Sequence, residues 1–318
     1  MATRFEFVLL GEDPVRLRAA GEEAFDEIDR IEGQLSLYRP GSEITMVNAR
    51  AAYQAVPVSP EVFSVIERAV KFSKITGGSF DISIAPLVRA WGFMKGSGAR
   101  PTDAKIAEAR EVVGSEFLLL DSGRSTVRFK RAGMMLDLGS IGKGYALDMA
   151  ADVLRDAGVE NALLHGGTST IYALGQDTTG PWKIAVDPPA LPGTAEAAPE
   201  GTPNTPLAII PLSNEAFSVS AVWGKFFTLD GKTYGHVIDP RTGWPADGAL
   251  LGAVVTASAA ESDALSTAVL LAAAETDLAA LRTTVPEMKF LQSRMQEGKV
   301  RSVAHGIEMF ESFSAMQG

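Results

Sequence analysis

Helix-like and strand-like patterns follow one another in blocks along this chain instead of alternating strictly, and that ordering disfavours an open parallel βαβ fold. Residues 4–10 read as a strand, after which Asp13-Pro14 supplies an N-cap and a proline at the first helical position. Leu17, Ala20, Ala24, Ile28, Ile31 and Leu35 then recur at three- and four-residue steps, the pattern of a long amphipathic helix. Ser59-Pro60 opens a second helix, with Val62, Val65, Ile66, Ala69 and Phe72 on its inner face, and Thr76-Gly77-Gly78 stops it. The pattern next changes to strands: 117–121 and 126–130 around a Ser-Gly turn, then 134–138. A helix over 141–157 closes at Gly158, and strands follow at 161–165, 182–187, 207–212, 216–220, 233–238 and 251–256. Helices at 259–273 and 275–284 and a strand at 288–292 complete the pattern. The expected fold is α+β, a largely antiparallel sheet with packed helices, in one domain over 1–318. The Pro-, Ala- and Gly-rich stretch at about 188–206 reads as a mobile surface insertion. No period of 20–50 residues recurs, which argues against a solenoid or propeller.

Composition narrows the partners. With 29 basic and 39 acidic residues the chain carries a net charge of −10 and has no Lys/Arg run, so nucleic acid is not an expected partner. The absence of cysteine removes thiolate metal sites, Fe–S clusters and cysteine nucleophiles. No apolar run reaches the ~18–20 residues of a membrane span, and the run from Phe7 to Leu10 is too short for a signal peptide. The expected compartment is cytoplasmic as the sequence stands, and periplasmic or lipid-anchored if a leader has been removed.

Four segments concentrate Gly, Asp, Ser, Thr and His beyond what a core requires: 77–81, 137–144, 236–243 and 262–267. The second is not a Walker A loop, because Gly144 follows Lys143 where a Ser or Thr would reach Mg²⁺. A glycine-rich turn into a helix N-terminus can still cradle a phosphate, or simply let helix and strand pack. In the fourth, Asp263 and Thr267 stand one turn apart on a helix face and offer hard oxygen ligands suited to Mg²⁺; helix capping is the competing use. Of the three histidines, His236 sits before Asp-Pro and a Thr-Gly turn, a place for a catalytic or a structural imidazole.

In order and wording these segments resemble the ApbE family of flavin transferases. The family's Met-Gly-Thr opening reads Met1-Ala2-Thr3 here, and its Ser-x-Tyr, Ser-Glu and Asn positions read Ser36-Leu37-Tyr38, Ser42-Glu43 and Asn48. Gly-Gly-x-Phe-Asp is Gly77–Asp81 and Trp-Gly-Phe is 91–93. Asp-Leu-Gly-x-Ile-x-Lys-Gly-Tyr, His-x-Ile-Asp-Pro-x-Thr-Gly and Asp-Ala-Leu-Ser-Thr-Ala follow at 137–145, 236–243 and 263–268. Two departures stand out: Val219-Ser220-Ala221 replaces Thr-Ser-Gly, and Ile82-Ser83 follows Phe-Asp in place of Pro-Thr.

The resemblance implies a T-fold-related domain with FAD in a cleft between two lobes. It implies that Met1 and Tyr38 flank the flavin ring, that Ser79, Phe80 and Asp81 line the same pocket, that Asp137 and Lys143 contact FAD, and that Ile238 packs nearby. Mg²⁺ would be held by Asp263, Thr267 and Ser266 with the backbone carbonyl of Ser140, and His236 would be the base. The implied reaction transfers FMN from FAD to a Ser/Thr hydroxyl of an acceptor flavoprotein and releases AMP. An FAD pyrophosphatase or a non-catalytic FAD-binding protein would use the same residues.

Overall fold

The computed structural model describes residues 3–94, 96–189, 205–222 and 224–310, so Met1 and most of the stretch at 188–206 lie outside the described residues. β1 (Phe5–Leu10) leads into α1 (Pro14–Leu35), where the Asp13 side chain accepts from the amides of Val15 and Arg16. α2 (Glu43–Arg50), β2 (Val56–Pro57), α3 (Pro60–Ile75), α4 (Ala85–Ala90) and α5 (Asp103–Arg110) follow. Next come the hairpin of β3 (Leu118–Asp121) and β4 (Thr126–Phe129), and then α6 (Gly142–Asp156). The second half comprises β5 (Asn161–Gly166), β6 (Thr170–Leu174), β7 (Trp182–Val186), β8 (Ala208–Leu212), β9 (Glu215–Ala221), β10 (Phe226–Leu229) and β11 (Lys232–Gly235). It ends with β12 (Ala249–Thr256), α7 (Ala259–Leu271), α8 (Glu275–Thr284), β13 (Lys289–Gln296) and β14 (Lys299–His305).

A seven-stranded sheet in the order β1-β5-β6-β9-β12-β13-β14 forms the centre, every pair antiparallel. Alternation of side chains assigns its two faces. Along β6, Tyr172 and Leu174 join the core beneath α1, α6 and α7, while Ile171 and Ala173 join a second core under the β7–β8 hairpin, with Trp182, Ile184 and Ile210. β12 is buried at all eight positions, as a strand covered on both faces should be, which is why its sequence is apolar or glycine up to its last residue, Thr256. A third, smaller cluster unites Leu87, Trp91, Phe93 and Ile106 with Tyr234 and Ile238 from the β11 side. Trp91 anchors it, its indole N–H donating to the Gly243 carbonyl at 2.9 Å.

One expected strand is absent. Residues 134–138 join no ladder: the Leu136 amide donates to Asn48 Oδ1 at 2.7 Å and its carbonyl accepts from Asn48 Nδ2 at 3.0 Å. A single asparagine side chain thus does for this segment what a neighbouring strand would do, and Asp137 N–H donates to the Ile82 carbonyl at 2.7 Å. β11 ends at Gly235, short of the expected 238; beyond His236 the chain pairs with a different segment, Ile238 bridging to Pro245 and the Val237 carbonyl accepting the Ala246 amide at 2.9 Å. The pattern also missed α2, β2, α4, α5, β6, β10 and β14. α5 shows why: only Ile106 of its eight residues is buried, so it carries little amphipathic signal. No helix among the described residues is long and apolar enough to cross a membrane.

α7 lies so close on β12 that a Cβ at Gly252 would stand 2.4 Å from the Leu270 nitrogen and 2.7 Å from the Ser266 carbonyl. Both neighbours are backbone, so neither can rotate away. Gly252→Ala is therefore expected to lower stability by about 1–3 kcal/mol or more, read as a lower urea midpoint. An unmoved midpoint would show that α7 can ride up without loss.

Candidate active site

A cavity of about 830 Å³ opens where the sheet's β7–β8 face, the turn before α6, the 79–88 segment and the β10–β11 region meet. Of the residues singled out in the sequence, Tyr38, Ser79, Phe80, Asp81, Asp137, Ser140, Lys143, His236, Ile238, Asp263 and Thr267 line it. Ser266 does not: it is fully buried, its Oγ 2.8 Å from Ser220 Oγ and 2.9 Å from the Asp263 carbonyl. Tyr38 remains 61% exposed, leaving its ring free at the cavity wall.

The anionic and cationic centre of the site comes from two helices. Asp263, in the second turn of α7, is 4% exposed. Its carboxylate faces Lys143 Nζ at 3.2 and 3.3 Å, accepts the Gly144 amide at 3.2 Å, and lies 3.4 Å from the buried Thr170 hydroxyl. Lys143 also donates to the Gly139 carbonyl at 3.2 Å. Thr267 Oγ1 lies 3.2 Å from Ser220 Oγ, so a β9 hydroxyl orients it. Asp263, Thr267 and Ser140 are the oxygen donors here that could hold a hard cation. Across the turn, burial pushes the Asp137 carboxyl above the usual range, against the Gly139 amide that it accepts at 2.8 Å and the charge of Lys143. Among the described residues no three His, Asp or Glu side chains come together as a closed metal cage.

The opposite chemistry sits on the β10–β11 hairpin. The His236 amide donates to the Lys225 carbonyl at 3.0 Å, and Nδ1 lies 3.2 Å from the same oxygen. A carbonyl only accepts, so the neutral ring carries its proton on Nδ1 and keeps the lone pair on Nε2. Burial pushes the imidazole below the usual histidine range; the hydrogen bond to the Lys225 carbonyl opposes this and the Lys225 ammonium adds to it. The environment thus favours the neutral ring, with one basic nitrogen.

The ApbE family model matches residues 1–291. The chain belongs to the ApbE family. It is 30% identical over 263 residues to a FAD:protein FMN transferase of Vibrio cholerae, covering 80% of this chain and 74% of that one. A Klebsiella pneumoniae protein of the same name is 30% identical over 285 residues, covering 87% and 85%. Among solved structures, the flavin transferase ApbE from Vibrio cholerae superposes with a TM-score of 0.81 at 25% identity, over 96% of this chain and 94% of that one. The ApbE protein of Thermotoga maritima gives 0.78 at 26% identity, over 99% and 100%. Membership makes the chain a transferase, and its mixed helical and antiparallel architecture is the one these ApbE structures share.

Within this ApbE chain the Gly-Gly-x-Phe-Asp segment is built from its own hydrogen bonds. Asp81 is 5% exposed, and its Oδ1 accepts from the Ser83 amide and hydroxyl at 2.8 and 2.6 Å. Oδ2 accepts from Ser73 Oγ at 2.9 Å and from the Ser115 amide and hydroxyl, both at 2.8 Å. The carboxylate therefore ties three segments together, and Ser83, one of the two departures, supplies two of its donors. Ala221, the other departure, lies at the cavity wall. Sequence reading gave no role to Thr170 in β6, to Ser220 in β9 or to Asp148, a carboxylate inside α6. Ser220 lies in the segment that matches the family's Thr-Ser-Gly but was given no role, and nothing local distinguishes Thr170 or Asp148; the partners of Thr170, Ser220 and Asp148 lie 93, 47 and 110 positions away.

Proposed function

We propose that this chain is a Mg²⁺-dependent FAD:protein FMN transferase. The observation that carries the reading is the convergence, on one cavity, of hard oxygen donors and a lysine from α6 and α7 with a neutral histidine from the β10–β11 hairpin. The volume lies in the upper part of the ~300–1,000 Å³ range of small-molecule sites. The exposed Tyr38 ring and the apolar Phe80 and Ile238 offer flat, soft surfaces for an isoalloxazine.

One carboxylate with neutral oxygens is a set that suits Mg²⁺, an ion that keeps waters and completes its shell from substrate phosphates. Asp263, Thr267 and the Ser140 carbonyl would hold it, and its charge would offset that of the pyrophosphate and of the departing AMP. Lys143 adds a second positive charge beside the phosphates. His236 takes the proton of the acceptor hydroxyl on Nε2 as that oxygen attacks the FMN phosphorus. The new P–O bond forms as the pyrophosphate bond breaks; the products are the FMN phosphodiester of an acceptor Ser or Thr, and AMP.

Incubation with FAD and Mg²⁺, with EDTA controls and with or without an acceptor flavoprotein, tests this directly. AMP release matched by an acceptor gaining the mass of one FMN is expected. Free FMN and AMP without need of an acceptor would make the chain a pyrophosphatase. Bound FAD with no AMP across a panel of acceptors would make it a carrier.

A further inference from the structure

α7, which carries Asp263 and Thr267, does not cap its own first turn alone. Asp148, inside α6, reaches across to it: one oxygen accepts the Ala259 amide at 2.7 Å, and the other accepts the Ala260 amide at 3.0 Å and the Ser258 hydroxyl at 2.7 Å. Ser258 Oγ in turn accepts from Arg68 at 2.8 Å, while its own bond to the Glu261 amide is long, 3.4 Å. The strong partner of the free N–H groups at this helix start is therefore a charged side chain from another helix.

One turn earlier on α6 the two helices touch backbone to backbone. A Cβ at Gly144 would stand 2.0 Å from the Ala259 carbonyl oxygen and 2.6 Å from the Ala260 nitrogen. Gly144 sets how close α7 comes, and Asp148 sets where along α6 its first turn is pinned. The same stretch of α6 supplies Lys143 and the Gly144 amide, both on the Asp263 carboxylate. Cap, contact and charged pair form one rigid joint, in which a shift of the first turn of α7 displaces Asp263 and Thr267 from the α6 groups that face them.

The geometry points to Asp148 as a positioning residue of the active site, one that fixes the metal-ligand face of α7 against α6 without itself reaching the cavity. This inference rests on the Mg²⁺ reading above. Groups that orient ligands from behind are worth about 10–100-fold in metal affinity or activity. Asp148→Ala is accordingly expected to raise the Mg²⁺ concentration for half-saturation by about that factor. The quantity is read in two ways: from calorimetric titration of the FAD-free chain with Mg²⁺, and from AMP release.

Asp148→Asn keeps one acceptor oxygen and is expected to show a smaller rise. Ser293→Ala is the control. It breaks a buried hydroxyl pair between β13 and β14, 2.8 Å to Ser302, and is expected to lower the unfolding midpoint while leaving Mg²⁺ half-saturation unchanged. A folded Asp148→Ala chain with wild-type Mg²⁺ dependence overturns the inference, as does a shift that Ser293→Ala reproduces. If Asp148→Ala does not fold, an unmoved Mg²⁺ dependence in Asp148→Asn overturns it. A wild-type chain whose AMP release ignores Mg²⁺ and EDTA removes the metal reading itself, a result distinct from any of these.

Discussion

Asp263→Asn is expected to abolish FMN transfer while the chain stays folded. The carboxylate is the one negative group among the proposed metal donors, and it lies almost out of water, where a change from charge to amide has its greatest effect. An amide is a poorer Mg²⁺ ligand, and in this site it also leaves Lys143 facing a neutral group at the position of its partner. The measurement is AMP release across a Mg²⁺ series, with thermal melting to confirm the fold. Wild-type turnover at ordinary Mg²⁺ would remove Asp263 from the metal set, and rescue only at high Mg²⁺ would keep it there as a weakened ligand.

His236→Ala is expected to keep FAD bound and to slow transfer by about 10²–10⁴-fold, the usual contribution of a positioned general base. The imidazole is held by its backbone and Nδ1 at the Lys225 carbonyl, so its removal leaves the opposite wall, with Lys143 and Asp263, intact. The sign of the pH effect follows from burial. A base active in its neutral form loses activity as pH falls through its pKa, and burial lowers that pKa. The acid limb of the wild-type profile should therefore lie below the ~6.5 of an ordinary histidine, and it should vanish in the alanine variant. Equal rates for the two proteins would strip His236 of the role.

What the sequence disclosed and what it hid divide by range. Asp13 and Ser59 each cap the helix that their own neighbours form, so α1 and α3 were legible from their start signals. α8 fell on its expected limits, 275–284. β12 was legible as a strand at 251–256, but its cover on both faces came only with the fold. The segment at 134–138 misled because its apolar pattern is that of a strand, while its hydrogen bonds go to Asn48, a partner 88 positions away. The cavity residues were visible as clusters of small and polar types, and the family wording assigned them expected roles. Their supports were not assigned: Thr170 and Asp148 are ordinary residues until folding brings them to their partners, and Ser220 was noted only for the motif around it.

That distance has a consequence for how such a chain comes to life on the ribosome. Lys143 and Asp263 are 120 positions apart, and Asp148 and Ser258 are 110 apart. Contacts of such separation form late and slowly, since loop closure must come before they stabilise anything. While residues from Ser258 onward are still being synthesised, the emerging portion has the lysine but not the Asp263 carboxylate that faces it, and the proposed cation site is incomplete. A ligand that needs the Asp263 carboxylate will thus stabilise only a chain completed through α7.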